Sequence, residues 1–502
     1  MSIARFINRK SIANITPLLI LLVLSCFAVF NNLGKSQIKM WDEATYANNS
    51  LDMLLSSNNI LVVEHLGKPD LYNTKPPFVI WMQALSMKVF GINEFAIRFP
   101  SALFGLLCVL SVYFFCVRIL KSKLIGFISA MILVTTKGYV GYHVVRTGDL
   151  DAVLVFWLTL GLFTLIDLVI TKPKNSFYHF LILSISCIGA CMTKGIAGFF
   201  FAPFMLIIMF LYNNHQLFKQ KSLYIAAFVT LLFCSAYYFI RELLAPGYIQ
   251  VVVESEILRY THKVMTWHVH PFNFYFQNLK SQFHPFFYIL PIVLLNPFVL
   301  KDNKLKTSIY LTIVAVGYFL LISYPTIKLE WYIAPLFPLL SILIGLSFVE
   351  IGIFIFKKLN IRWNPFPIKS LLLGIALIFL FKPYKTIIDS TKYPTNYYIF
   401  PKELDGAYLK YLKENRPDIK TLTVFKQENH EKNYNQVLFY KRAYELQYNY
   451  HITITQEMDF KKDEIVMVCK EADKERIQKD YIVEEINSWR DGTLFLIKDK
   501  AL

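Results

Sequence analysis

Residues 15–47 read ITPLLILLVLSCFAVF followed by NNLGKSQIKMWDEATYA, an unbroken apolar run that gives way to a polar stretch ending in two adjacent carboxylates, Asp42 and Glu43. The run Ile15–Phe30 approaches the ~20 residues a helix needs to cross hydrocarbon. Arg5, Arg9 and Lys10 precede it as in a secretory leader, but Asn31, Asn32, Leu33, Gly34 and Lys35 offer no small-residue cleavage site, so a retained first span is expected. Similar runs recur at 102–117, 124–134, 152–170, 196–211, 223–240 and 333–356. A chain that is 55% hydrophobic, 16% aromatic and only 17% charged lacks the polar residues for an ordinary water-facing surface. The expected fold class is mainly α, a polytopic membrane protein of about eleven spanning helices with a small α/β domain at the C-terminus.

The net charge of +17 does not point to nucleic acid, because Lys and Arg sit in short clusters between apolar runs and form no basic face or binding motif. With the N-terminus in the cytoplasm, alternation places Lys121/Lys123, Lys172/Lys174, Lys219/Lys221, Lys301–Lys306 and Lys357/Lys358 on that side too, as the positive-inside bias requires. Two long outer loops then result, 34–98 and 242–283. Within the first, Phe78–Phe90 is too short to span, and Asp42–Ser56 suits an amphipathic helix; both are expected at the membrane interface. The membrane domain is expected over 1–383 and the α/β domain over 384–502, outside the cytoplasm from about Tyr393. A last span is expected after Trp363. In the tail, 402–415 and 472–479 read as helices, and 421–425, 451–455, 464–469 and 493–497 as strands. No nucleophile pair or metal-ligand spacing marks the tail, so it reads as a packing or docking module. The seven cysteines lie mostly in spans and imply no disulfide framework.

Six segments carry the functional reading: Trp41-Asp42-Glu43-Ala44-Thr45-Tyr46-Ala47, Thr74-Lys75-Pro76-Pro77-Phe78, Asn93-Glu94-Phe95-Ala96-Ile97-Arg98-Phe99-Pro100, Arg146-Thr147-Gly148-Asp149-Leu150-Asp151, Thr193-Lys194-Gly195 and Lys328-Leu329-Glu330-Trp331-Tyr332. In order and spacing this set resembles the protein O-mannosyltransferases and the lipid A aminoarabinose transferases, across most of the membrane part. The resemblance implies the GT-C fold and a glycosyltransferase, transferring a hexosyl or pentosyl group from a polyprenyl-phosphate-linked donor. The acceptor can be a protein hydroxyl, lipid A or an envelope glycan. The implied location is the inner cell membrane, with the active site and the tail on the periplasmic side. Two positions depart from the family: Thr74 stands where aminoarabinose transferases carry an acidic residue, and Thr45 where an arginine is common.

The residues support the same chemistry directly. Sugar transfer needs a carboxylate beside the acceptor and cations for the charge developing on the leaving phosphate. Asp42, Glu43 and Asp151 are the candidate catalytic carboxylates, with Asp149 a competitor and a helix-cap role the plainer alternative for Asp42 and Asp151. Lys75, Arg98, Lys194, Arg259 and Lys328 fall against the positive-inside trend and are the candidate phosphate ligands, with lipid-headgroup contact as the alternative. Tyr332 is placed beside the carrier phosphate by the resemblance. Glu256, His268 and His270, with His262 and Glu254 nearby, form a weak candidate site for a divalent metal, the one cofactor left open. Two rival readings are a polyprenyl-lipid transporter or flippase and a non-catalytic protein that holds lipid intermediates, although transporters usually place their charges at the bilayer midplane.

Overall fold

The computed structural model describes residues 9–56, 59–141, 143–211, 215–258, 268–359, 365–392, 403–427 and 434–501. Arg259 and His262 lie outside these, as does the domain junction at Tyr393. Among the described residues, seven helices are long and apolar enough to cross a membrane, or eight if the bent pair Phe274–Gln282 and Phe286–Val299, folded by 107°, is one span. The difference from the expected eleven lies in shorter apolar helices at Ile15–Phe30, Lys123–Val134 and Ala202–Leu211. Lys123–Val134 has 12 residues, about 18 Å of helix, too little to cross hydrocarbon alone. Protein surrounds it: every residue from Ile125 to Val134 is buried, so neighbouring helices rather than lipid cover the backbone at its ends.

The chain begins with α1 (Arg9–Phe30), then α2 (Asp42–Leu55), a short hairpin of β1 (Glu64–His65) and β2 (Lys68–Pro69), α3 (Phe78–Phe90), α4 (Glu94–Ile119), α5 (Lys123–Val134) and the single turn α6 (Lys137–Val140). Two long helices follow, α7 (Asp151–Thr171) and α8 (Phe177–Lys194), packed against each other and, through α7, against α4. The last apolar helix runs from Pro365 to Thr391, so the expected domain boundary at 383/384 falls within it. Asn93 starts α4 by accepting a hydrogen bond from the Ala96 amide, the usual way a helix satisfies an orphan N-terminal donor.

The tail is the expected α/β unit. Its five-stranded sheet has the order β4-β3-β5-β7-β6, with β3 Thr421–Phe425, β4 His451–Thr455, β5 Ile465–Val468, β6 Tyr481–Trp489 and β7 Gly492–Lys500. β3 pairs in parallel with β4 and β5, and the remaining ladders are antiparallel. The helices Leu404–Asn415, Asn435–Tyr448 and Glu471–Asp480 pack around it.

One expectation about α2 is corrected. It does not lie on a lipid surface: Glu43, Ala44, Ala47–Asp52 are buried, because the helix is sandwiched between α3 and the tail helix Asn435–Tyr448. Asn435 donates to the Thr45 hydroxyl at 2.9 Å, and its carbonyl accepts from Asn48 at 2.7 Å. Arg442 pairs with Asp52 at 2.6 Å. The loop before α2 is tied down as well, since Glu403 accepts from Gln37 and Lys39, and the Tyr440 hydroxyl accepts from the Ile38 amide. The tail thus closes over α2, which begins at Asp42, and over the loop before it.

Candidate active site

Glu43 and Arg98 are the pivot of the region. The Glu43 carboxylate accepts from Arg98 Nε at 2.7 Å and Nη2 at 3.0 Å, and also from the backbone amides of Lys39 and Gly148. Arg98 spends its remaining donors on the carbonyls of Leu33, Ser36 and Gln37 and the Ser36 hydroxyl. Both side chains are 1% exposed. Enclosed this way, Arg98 does not line an opening to a donor phosphate, and Glu43 has no face toward a substrate. Their bonds instead staple α2, the loop before it, α4 and the Gly148 turn, which fixes the neighbouring Asp42. The sequence reading of Arg98 as a phosphate ligand and Glu43 as a catalytic carboxylate is replaced by this positioning role.

Asp42 emerges from that staple beside two residues of the turn between α6 and α7. Its carboxylate, His143 and Asp149 bring one ligand atom each within 4.8 Å of one another. His143 Nδ1 lies 3.2 Å from Asp149 Oδ2, and its ring stacks on Trp331 at 3.6 Å between centroids and 17° between planes. Burial pushes the imidazole toward neutrality, but the Asp149 carboxylate, with Asp42 and Asp151 behind it, outweighs burial and leaves His143 above the ordinary histidine value. The partner agrees: burial raises the Asp149 carboxyl, His143 and the Thr147 hydroxyl pull it down, and it ends below the ordinary range. His143 and Asp149 therefore form an ion pair underneath Asp42.

A narrow pocket of about 30 Å³ gathers Lys75, Asp151, Lys194, Glu256 and Tyr332 from five segments of the chain. Lys194 closes α8 and donates to both oxygens of Asp151, at 2.7 and 2.8 Å, the residue that opens α7. The same ammonium lies 4.9 Å from the centre of the Tyr332 ring. Opposite, Lys75 pairs with Glu256, which also accepts from the Thr74 hydroxyl at 2.6 Å. Two lysines and two carboxylates thus close across the pocket as two ion pairs.

Lys328 stands elsewhere. It lines a second, roomier cavity of about 350 Å³ with Lys137, His268, His270, Gln282 and Glu330, and its ammonium donates to the carbonyls of His270 and Pro325. Burial holds that ammonium below the ordinary lysine value. The motif lysines Lys75 and Lys328, both candidate phosphate ligands, therefore do not share one cavity: Lys75 lies with Tyr332 in the narrow pocket and Lys328 in the larger one. Glu256 likewise faces one pocket and His268 and His270 the other. Among the described residues, the group able to chelate a metal ion is Asp42, His143 and Asp149. Sequence reasoning passed over His143, which stands just before the Arg146–Asp151 segment but outside it, and reaches Asp42 only through the fold.

A membrane-spanning bundle with long loops that carry paired carboxylates and lysines, capped by a small α/β unit, is the architecture of GT-C membrane glycosyltransferases, and this chain has that fold. Its backbone superposes on the crystal structure of ArnT from Cupriavidus metallidurans bound to undecaprenyl phosphate with a TM-score of 0.69, at 13% identity over 96% of this chain and 98% of that one. The oligosaccharyltransferase AglB from Archaeoglobus fulgidus matches with a TM-score of 0.55, at 16% identity over 86% of this chain and 64% of that one.

Sequence similarity narrows the resemblance. Residues 74–239 match the family model described as dolichyl-phosphate-mannose-protein mannosyltransferase. An uncharacterised protein of Aquifex aeolicus is 27% identical over 67% of this chain and 63% of its own length. An undecaprenyl phosphate-alpha-4-amino-4-deoxy-L-arabinose arabinosyl transferase of Wigglesworthia glossinidia brevipalpis is 26% identical over 63% of this chain and 56% of its own length. The matches thus span less than two thirds of those relatives.

Proposed function

We propose that this chain is a glycosyltransferase that moves a sugar from a polyprenyl-phosphate carrier to an envelope acceptor, with Asp42 as the carboxylate that receives the acceptor proton. The observation that carries the reading is a pocket where Lys75, Asp151, Lys194, Glu256 and Tyr332 meet with both lysines in ion pairs, joined through the Asp149–Asp151 turn to the cluster of Asp42, His143 and Asp149. The carrier phosphate takes Lys75 and Lys194 from their carboxylate partners, and Tyr332 flanks it. The acceptor oxygen then bonds to the anomeric carbon as the bond from that carbon to the phosphate oxygen breaks. The electron pair leaves on the phosphate, where the two ammonium groups stabilise it, and the acceptor proton passes to Asp42. Arg259 remains assigned to the phosphate only as a cation placed against the positive-inside trend.

The relatives at 26% identity whose names specify aminoarabinose favour a pentosyl group as the sugar. The lysine clusters between spans support a periplasmic site in the inner membrane. A divalent ion, if the enzyme uses one, belongs at Asp42, His143 and Asp149, where it would supply positive charge; the chain's own residues hold the ligand atoms within reach of one ion. The test compares envelope glycolipids and glycoproteins by mass spectrometry in cells with and without the protein, and repeats transfer in isolated membranes with a chelator. A glycan mass increment that depends on the protein supports the reading; identical profiles contradict it. Loss of transfer under chelation, restored by a divalent ion and absent in His143→Gln, assigns the metal, whereas chelator-insensitive transfer excludes it.

A further inference from the structure

The 350 Å³ cavity has no part in the donor chemistry just described, yet its size lies within the range of small-ligand sites. Its charge is unlike that of the narrow pocket. There each lysine is matched by a carboxylate, Lys75 by Glu256 and Lys194 by Asp151. In the larger cavity Lys137 and Lys328 face a single carboxylate, Glu330, and among the described residues neither lysine is in an ion pair. His268 and His270 add two further groups able to donate a proton. The fold sets Lys328 rigidly in this wall. The strand-like bridge between Val269 and Ile327, with the Lys328 amide donating to the His268 carbonyl, locks the two loops together. The ammonium is buried and fixed by two carbonyls. A fixed, uncompensated cation in a cavity wall is costly unless an anion comes to it.

Position gives the cavity a role. Trp331 forms part of its lining and stacks on His143, which belongs to the Asp42 cluster, while the next residue, Tyr332, lines the narrow pocket. The turn Glu330–Ile333 is therefore a partition, with the donor pocket on one side, the larger cavity on the other and the carboxylate cluster at its edge. A group bound in the larger cavity lies across this turn from the donor pocket and is linked to the Asp42 cluster through the Trp331–His143 stack, a place fit for an acceptor.

We propose that this cavity is the acceptor subsite, and that it takes an anionic sugar headgroup, its phosphate or carboxylate held by Lys137 and Lys328 with help from His270, and its hydroxyls within reach of Gln282 and Glu330. The inference rests on the glycosyltransferase reading and narrows it: neutral acceptors are disfavoured.

The full chain in lipid nanodiscs is titrated with radiolabelled glucose 1-phosphate, glucuronate and glucose. Saturable binding of either anion but not of glucose is expected. In Lys137→Gln or His270→Gln the affinity should fall about tenfold, the effect of losing one charge-assisted hydrogen bond. Lys137 is exposed, so its replacement leaves the fold intact. Lys75→Gln, in the other pocket, should bind the anion as wild type does. Equal binding of glucose, unchanged affinity in both cavity variants, or loss of anion binding in Lys75→Gln instead overturns the assignment. Displacement of the bound anion by undecaprenyl phosphate also overturns it, because the cavity then serves the carrier. The donor reading is checked separately in the same samples by undecaprenyl phosphate binding and its dependence on Lys75.

Discussion

Replacing Glu43 by Gln separates a positioning carboxylate from a catalytic one. The side chain keeps its shape, but the four N–H groups now received by two carboxylate oxygens face an amide with one acceptor oxygen and an NH₂ that opposes other donors. Arg98, 1% exposed, loses its counter-charge and keeps only neutral partners, the carbonyls of Leu33, Ser36 and Gln37 and the Ser36 hydroxyl. Removing one member of a buried pair typically costs ~3–5 kcal/mol, because the other charge is left in a low-dielectric site. That is comparable with the whole stability of many domains, ~5–15 kcal/mol. Thermal unfolding in nanodiscs should therefore shift down by several degrees. Hydrogen exchange should quicken across α2 and the Gly148 turn together, since Glu43 ties both. A Glu43→Gln protein that melts with the wild type and exchanges no faster, while losing transfer, would refute the argument and return Glu43 to the chemistry.

Two further outcomes follow from neighbouring contacts. Arg442→Ala removes the tail's ion pair to Asp52 and should speed hydrogen exchange in Asp42–Leu55; the swap Asp52→Arg with Arg442→Asp should restore most of that protection, and failure of the swap would mean that the contact does not hold α2. The His143–Asp149 pair gives stability a pH window. Raised in the folded state, His143 contributes fully below its unfolded value of ~6.5 and loses the contribution as pH rises through the higher folded value. Asp149, lowered, contributes above its unfolded ~3.9 and loses it as pH falls through the lower folded value. The melting difference between wild type and His143→Gln should therefore be largest at about pH 4–6.5 and shrink above that; a difference that stays flat into the alkaline range contradicts the ion pair.

Much of this architecture is readable from the chain, for physical reasons that also explain the gaps. Apolar runs announce membrane helices because lipid demands them, and β3 and β4 fall where β-branched residues concentrate, at Thr421–Phe425 and His451–Thr455. β6 is an edge strand with few buried residues, so its hydrophobic pattern is weak and it escaped notice. The helix Asn435–Tyr448 had a usable signal in Val437, Tyr440 and Tyr444, buried at helical spacing. Its consequence, burial of α2, was invisible because the two segments are distant in sequence. Lys75, Asp151, Lys194 and Tyr332 were found through motifs and do converge. Motif membership could not tell which cations face an opening. Arg98 is consumed by a carboxylate and carbonyls, and Lys328 lies across the Trp331 partition, distinctions that only three-dimensional packing makes.

In the proposed reaction Asp42 receives the acceptor proton while Lys75 and Lys194 hold the carrier, and the most direct measurement is transfer by Asp42→Asn set beside its undecaprenyl phosphate affinity. Transfer should fall by ~10² to 10⁴ fold with carrier affinity within about twofold of wild type, the pattern of an interaction made in the transition state. Near-normal transfer by Asp42→Asn, or a loss of transfer matched by an equal loss of carrier binding, would contradict the assignment and move it to Asp151.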